Sequence, residues 1–421
     1  MAAPIAVVGA GVVGLACARE LRRAGADVVV VDSGRVGAAA SSGNAGWVCP
    51  SLSSPLASPG AVEEGLRQML HRERAFAFRP RFEPVFWRWL WRFLRSSTSR
   101  RFEAGTAALL ELNRLTMQMF DEYRSDGVPF EMRETGIVFA ALSEDGLAPY
   151  LRLARLLQRL GYPGRFDRLE DPLAGFEPAL NGTRVRHAMY ASADRIVHPG
   201  SLTSGLADVL RRAGVVIHEE FPVRRVQRRR GRWVVEGARG GIECEKVVVA
   251  AGLGTRGLLR EHGVKVPMVG AGGYSVMVAD AGDPPRHALY LAEAKLAVSP
   301  FRDGVRIAGV FELGGRAVTA ARADGLELAR SAAPYVTGWQ PTAGVLSEYW
   351  AGLRPTTPNG LPVIGGVPGA EDLFVAAGHT MLGVTLAPAT ARVLAPLVLR
   401  GERRPELLPF ELTRTGHQGG L

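Results

Sequence analysis

The segment Gly9-Ala10-Gly11-Val12-Val13-Gly14 spaces its glycines as a backbone does when it cradles a pyrophosphate. Gly9 permits a tight turn, Gly11 lets the main chain approach the phosphates, and Gly14 lets a helix pack closely on a strand. Asp32, eighteen residues past Gly14 and followed by Ser33, brings a carboxylate able to accept hydrogen bonds from ribose hydroxyls. Glycine-rich turns also arise for packing alone, so the flanking elements decide the matter. Ile5 to Val8 is a wholly apolar run that reads as a buried parallel strand. A helical stretch then carries Leu15, Ala18 and Leu21 on its apolar face and Arg19, Arg22 and Arg23 outside, and a second strand from Asp27 to Val31 ends at Asp32. The unit predicts a dinucleotide site, with Val12 and Val13 in a first helical turn whose free N–H groups and positive dipole end face the phosphates.

A second loop, Ser41-Ser42-Gly43-Asn44-Ala45-Gly46, follows nine positions past Asp32. Small hydrogen-bonding residues suit a cofactor larger than NAD that presses on the backbone. By spacing alone the loop serves equally well as a surface turn.

These residues need a scaffold, and the chain is long enough for one. Its 421 residues, 47% hydrophobic, exceed the ~250 to 300 at which a single core stops growing, so two interleaved domains are expected. From about Val62 to Tyr162 the pattern is mostly helical. Strands return from Val215 to Val249, with a turn across Arg225 to Arg232, and mixed strands run from Val264 to Val310. A last helix starts after Gly383. The alternation predicts an α/β fold: a Rossmann-like nucleotide-binding domain made of 1–75, 185–265 and 340–421, with an inserted α+β substrate domain made of 76–184 and 266–339.

Charge and cysteine usage exclude several classes. The formal charge of +10 is almost all arginine, since Lys246, Lys265 and Lys295 are the only lysines. The densest basic run, Arg224 to Arg232 around Gly231, reads as a solvated hairpin turn, and no binding module for nucleic acid accompanies it. Cys17, Cys49 and Cys244 form no pair motif, so neither a disulfide framework nor a zinc site is expected, and a cytoplasmic setting fits. No apolar run reaches the length of a membrane span.

Four passages together resemble the FAD-dependent D-amino-acid oxidase superfamily, and within it the bacterial D-amino-acid dehydrogenases. They are the fingerprint through Asp32; the loop Ser41 to Gly46; Gly273-Tyr274-Ser275; and the ordered series Gly352-Leu353-Arg354-Pro355, Thr357-Pro358-Asn359-Gly360-Leu361-Pro362, Gly378-His379-Thr380-Met381-Leu382-Gly383. The resemblance implies noncovalent FAD held by Gly9, Gly11, Val12, Val13, Gly14, Asp32, Ser33, Ser41, Ser42, Asn44, Ala45 and Gly46. It adds Val223 beside the adenine, Ala251 and Gly252 under the pyrophosphate, and Arg354, Gly378, His379, Met381, Leu382, Gly383, Val384 and Thr385 near the flavin. Arg354 matches the arginine that grips a substrate carboxylate, with Tyr274 and His379 as further active-site candidates. Two departures stand out. Gly272 replaces a frequent lysine, and no cysteine follows Cys244 to attach FAD covalently.

The implied reaction is oxidative deamination of a small D- or cyclic amino acid, by hydride transfer from Cα to flavin N5. The imino acid then hydrolyses to a 2-oxo acid and ammonia. Rival readings are oxidation of secondary amines such as N-substituted glycines and, in another class, a noncatalytic FAD-binding redox protein. Tyr274 either covers substrate or is half-buried packing, and His379 positions flavin rather than transferring protons. His198 reads as a turn residue, and Glu312 as a structural hydrogen-bonding group. Electrons are expected to pass to a quinone, a dye-like carrier or oxygen. The helix Phe86 to Leu94 interleaves tryptophans with Arg88 and Arg92, which suits either a core face or a peripheral contact at the inner face of a membrane.

Overall fold

A computed structural model of the chain describes residues 3–60, 76–78, 83–170, 173–238, 240–314 and 322–413. The helical reading for 62–75, and with it the domain boundary at 75, falls outside them.

Two large sheets organise the described residues. The first has six strands in the order Val216–His218, Val28–Val31, Ile5–Val8, Lys246–Val249, Leu373–Ala377 and Val363–Gly366, all parallel except the last. Its strands are nearly continuous apolar runs because both faces are covered. Val7, Val30 and Val248 pack with the helices Val12–Arg23, Pro199–Arg212 and Gly383–Arg400. Val8, Val31 and Val249 point the other way, onto Val226, Trp233 and Val235 of a three-stranded antiparallel sheet. In that small sheet the basic run stays extended through Arg229, and the turn itself is only Arg230 and Gly231, both at positive φ (50° and 82°). That is the two-residue turn favoured by twisted hairpins. Its arginines Arg225 and Arg229 pair with Glu261 and Glu236.

The second sheet has nine strands. Eight run in the order Leu346–Thr356, Val269–Val278, Gly304–Leu313, Leu296–Phe301, Ala288–Leu291, Ile137–Ala141, His187–Ala191 and Phe166–Leu169, and Phe76–Phe78 pairs beside Gly304–Leu313. Two of these strands correct the expected boundaries. His187–Ala191 pairs with Ile137–Ala141, and Leu346–Thr356 pairs with Val269–Val278, although the sequence pattern puts 185–265 and 340–421 in the nucleotide-binding part. Local pattern marks a strand, whereas its sheet is decided by long-range pairing.

Arg19 is a second correction. Expected outside, it is buried, pairs with Glu20 and Asp126, and lies 4.5 Å over the Tyr123 ring. Helices Thr116–Ser125 and Gly383–Arg400 cover what would otherwise be the polar face of the first helix, and Arg392 closes the network on Glu20 at 2.7 Å. Buried charges persist only when paired in this way.

Candidate functional site

The parallel sheet brings the sequence motifs together at one edge. Gly9, Asp32, Ala250 and Gly378 each follow directly or within a residue of the carboxyl ends of neighbouring parallel strands, where open α/β sheets bind ligands. Gly9 has φ 119°, and a Cβ there would lie 2.4 Å from the Ala250 carbonyl oxygen. On Gly14 a Cβ would lie 1.8 Å from the Gly9 carbonyl oxygen, so the helix can approach the strand only without a side chain. Gly11 is different. It has extended backbone (φ −73°, ψ 173°), and a Cβ would meet only the Ser41 hydroxyl, at 3.2 Å. Its glycine is explained by open space beside the loop rather than by the protein's own packing.

The Asp32 carboxylate accepts from the Ala10 N–H (2.6 Å) and the Gly34 N–H (2.8 Å), which leaves lone pairs for hydroxyls. Ser33 beside it is exposed. Val223 is brought to the same place by the preceding residues: Phe221 and Glu220 donate their N–H groups to the carbonyls of Asp32 and Gly34. Ala251 and Gly252 continue from the strand end that contacts Gly9.

The Ser41 to Gly46 loop lies over the helix start. The Ser41 hydroxyl accepts the Val12 N–H at 3.0 Å, and Asn44 Oδ1 accepts the Gly46 N–H at 2.7 Å, closing the turn. The Ser42 hydroxyl instead donates to carbonyls of its own turn, Ala38 and Ala39. The larger sheet grips the loop from the far side. Ser299 donates to the Ala45 carbonyl (2.8 Å), and Arg306, buried, donates from Nη1 to the carbonyls of Ser42 (2.5 Å) and Asn44 (3.3 Å). Composition did not single out Ser299 or Arg306. Only the pairing of distant strands reveals them.

Arg354 lies in Leu346–Thr356, opposite Ala271. Its Nη1 donates to the carbonyls of Gly272 (3.1 Å) and Val310 (2.8 Å), and Nη2 to that of Gly309 (3.4 Å). A guanidinium has five N–H donors, so two remain for a ligand. Gly273 makes the room, since a Cβ there would lie 1.9 Å from Arg354 Nη1. Val310 supplies the aim. It sits in a bulge at φ 60°, a conformation rare for a β-branched residue, and turns its carbonyl onto the guanidinium. Among the described residues Arg354 has no carboxylate partner, and burial lowers its pKa to about 10, so it stays cationic at neutral pH. A cation held only by carbonyls keeps donors that an anion could take.

The other two active-site candidates lie in different surroundings. Tyr274 pairs with Ala351 while Arg354 pairs with Ala271, so the tyrosine points to the opposite face of the sheet, where it packs beside Val276 and Ile307. Glu312 lies on that same opposite face and approaches the Tyr274 hydroxyl at 3.5 Å. The His379 ring is buried with Nε2 at 3.0 Å from the Thr390 hydroxyl, and burial lowers its pKa to about 3. It therefore anchors the turn Gly378 to Leu382 on the helix that follows and is neutral near pH 7. Met381 at that turn is exposed, and its carbonyl lies 3.5 Å from Asn44 Nδ2. Leu382 stands at the N-cap of Gly383–Arg400 without a side-chain cap, so the amides of Gly383, Val384 and Thr385 open the helix. The Thr385 side chain is occupied elsewhere, donating to the Trp47 carbonyl at 2.9 Å. His198 caps Pro199–Arg212 by accepting the Ser201 N–H, the turn role expected of it. The three cysteines are free and buried, and burial pushes the thiols of Cys17 and Cys244 up to about 12.

Comparison with known proteins matches this arrangement. A family model described as FAD dependent oxidoreductase matches residues 4–397. The chain is 32% identical over 418 residues to a D-amino acid dehydrogenase of Cereibacter sphaeroides, covering 97% of this chain and 94% of that one. Among solved structures, glycine oxidase from Geobacillus kaustophilus superposes with a TM-score of 0.76 at 25% identity, covering 99% of both chains. L-proline dehydrogenase from P. horikoshii shares the fold, with a TM-score of 0.71 at 17% identity over 97% of this chain and 96% of that one. The glycine cradle, the carboxylate at the second strand end and the small-residue loop fit FAD, and the chain belongs to the DAO family of FAD-dependent oxidoreductases.

Proposed function

We propose that the protein oxidises the Cα–N bond of a small amino acid, releasing an imino acid that hydrolyses to a 2-oxo acid and ammonia. The observation that carries this reading is Arg354, a half-buried guanidinium with two free donors and no carboxylate partner among the described residues. When bound, FAD supplies the two-electron acceptor for the hydride leaving Cα. Arg354 takes the substrate carboxylate side by side on its two donors, and the carbonyls of Gly272, Gly309 and Val310 keep the guanidinium from swinging. That removes the rotational freedom of the substrate, which is a large share of what a site supplies when its cofactor does the chemistry. The amides opening Gly383–Arg400 offer a positive dipole end that would favour negative charge on a bound, reduced cofactor. The nine-stranded sheet is the substrate-binding part on this reading.

The amine must be neutral to donate its lone pair, and neither Tyr274 nor His379 stands ready to deprotonate it. Below the Arg354 pKa of about 10, the rate constant for flavin reduction should therefore rise with pH along a single limb set by the substrate amine. The imidazole of His379, neutral above a pKa of about 3, adds no limb near neutrality. The test is an anaerobic panel of D-, L- and cyclic amino acids and N-alkyl glycines, following loss of flavin absorbance. Small neutral amino acids are expected to bleach it without NAD; a flavin that stays oxidised with the whole panel would overturn the reading. N-alkyl glycines turning over faster than every primary amino acid would reassign the enzyme to secondary amines.

The acceptor side draws on the helix Pro84–Ser96. Phe86, Trp89 and Phe93 face the core, while Trp87 (49% exposed), Trp91 (53%), Val85 and Leu94 face solvent. The Arg95 guanidinium lies 4.6 Å over the Trp91 ring. The inner face packs in the core, and the outer face would suit a peripheral contact with a membrane that holds a quinone. No helix among the described residues is long and apolar enough to cross a bilayer. Sedimentation with anionic vesicles should pull down the protein, and Trp87→Ser with Trp91→Ser should weaken binding about tenfold or more. Equal binding by the double variant would remove this surface from consideration.

A further inference from the structure

We infer that Trp350 sets the size of side chain the site accepts, an assignment that rests on the amino-acid reading above. Trp350, Gly352 and Arg354 alternate along Leu346–Thr356 and so share one face of the strand. The indole is clamped between glycines of two distant segments. A Cβ on Gly43, in the small-residue loop, would lie 1.9 Å from Trp350 Cδ2, and one on Gly352 would lie 2.2 Å from Trp350 Cζ2. The ring therefore leans along the strand toward Arg354 and walls the space between the cofactor loop and the guanidinium.

Its neighbours hold this wall in place. Glu348 has φ 48°, next to a register shift opposite Ser275–Met277, and this bulge re-aims the strand just before the indole. Arg306 joins the two sides, since its Nη2 pairs with Glu348 while its Nη1 donates to the carbonyls of Ser42 and Asn44. The strand, the ring and the loop are thus one cross-linked unit. A substrate whose carboxylate is fixed on Arg354 must place its side chain in what the ring leaves free. A rigid aromatic wall admits a methyl group and excludes a branched chain. Replacing it with a smaller group opens apolar space, and one methylene of such space changes selectivity about 10- to 200-fold.

The test compares wild type, Trp350→Leu and Trp350→Phe as FAD-loaded enzymes. It measures kcat/KM with a dye acceptor for alanine and for leucine, in whichever enantiomer the wild type oxidises. The leucine-to-alanine ratio should rise about tenfold or more in Trp350→Leu and by a smaller factor in Trp350→Phe, with FAD content unchanged. Phe keeps an aromatic face against Gly43, so it remains readable if the leucine variant loses cofactor. An unchanged ratio in a variant that retains FAD overturns the assignment. Loss of FAD from both variants overturns it too, because the indole would then belong to the cofactor site. A wild-type enzyme whose flavin no amino acid reduces would instead mark failure of the underlying reading, before any variant is compared.

Discussion

Arg354→Ala should lower kcat/KM for amino-acid substrates by about two to three orders of magnitude while leaving FAD content unchanged. Removing one partner of a buried charge pair costs about 2 to 5 kcal/mol, largely because the other charge is left unpaired, and ~1.4 kcal/mol is tenfold in rate. Arg354→Lys should recover only part of the loss. An ammonium cannot satisfy the carbonyls of Gly272, Gly309 and Val310 and still offer two parallel donors to a carboxylate. Gly273→Ala supplies an independent check without touching the charge. Its Cβ would fall 1.9 Å from Arg354 Nη1, so the guanidinium must move, and KM for the amino acid should rise far more than that for a simple amine. Full activity of Arg354→Ala with the best amino acid would make this arginine structural and remove the basis for carboxylate selection here.

Two glycine substitutions only a few residues apart should fail in different ways. Gly14→Ala should give a destabilised protein whether or not FAD is present, because its Cβ meets the Gly9 carbonyl oxygen at 1.8 Å and neither backbone can retreat without parting the helix from the strand. Overpacking of this kind costs about 1 to 3 kcal/mol or more. Gly11→Val should instead give a folded apoprotein with a normal melting temperature and an FAD affinity lowered about a hundredfold or more. Its backbone is ordinary extended chain, and a Cβ there meets the Ser41 hydroxyl at 3.2 Å and otherwise enters open space. Thermal melts of the apoproteins, followed by FAD titration, separate the two. If Gly11→Val binds FAD as tightly as wild type, the pyrophosphate does not lie against this turn.

The nucleotide end was legible because its information is local. The run Ile5–Val8, the glycine turn, the helix and the acid at Asp32 are contiguous, and each residue type is demanded by backbone geometry within that one unit. The arginine before Pro355 was legible only through an ordered series of motifs; its surroundings were not. Period-two alternation in Leu346–Thr356 did hold one unused signal, since it puts Trp350, Gly352 and Arg354 on one face.

By itself, the sequence determined the nucleotide-binding unit from Ile5 to Asp32, because short-range backbone rules and hydrophobic periodicity are written within one contiguous stretch. What surrounds those residues depended on pairings between segments far apart in the chain. The register of Val269–Val278 against Leu346–Thr356 turned Tyr274 away from Arg354, and the bulge at Val310 aimed its carbonyl at the guanidinium. Burial then fixed His379 against Thr390, and helices from elsewhere in the chain covered Arg19. A side chain's face changes with a one-residue shift in register, and its exposure depends on which distant element lands on it, so neither is encoded in the pattern around the residue itself.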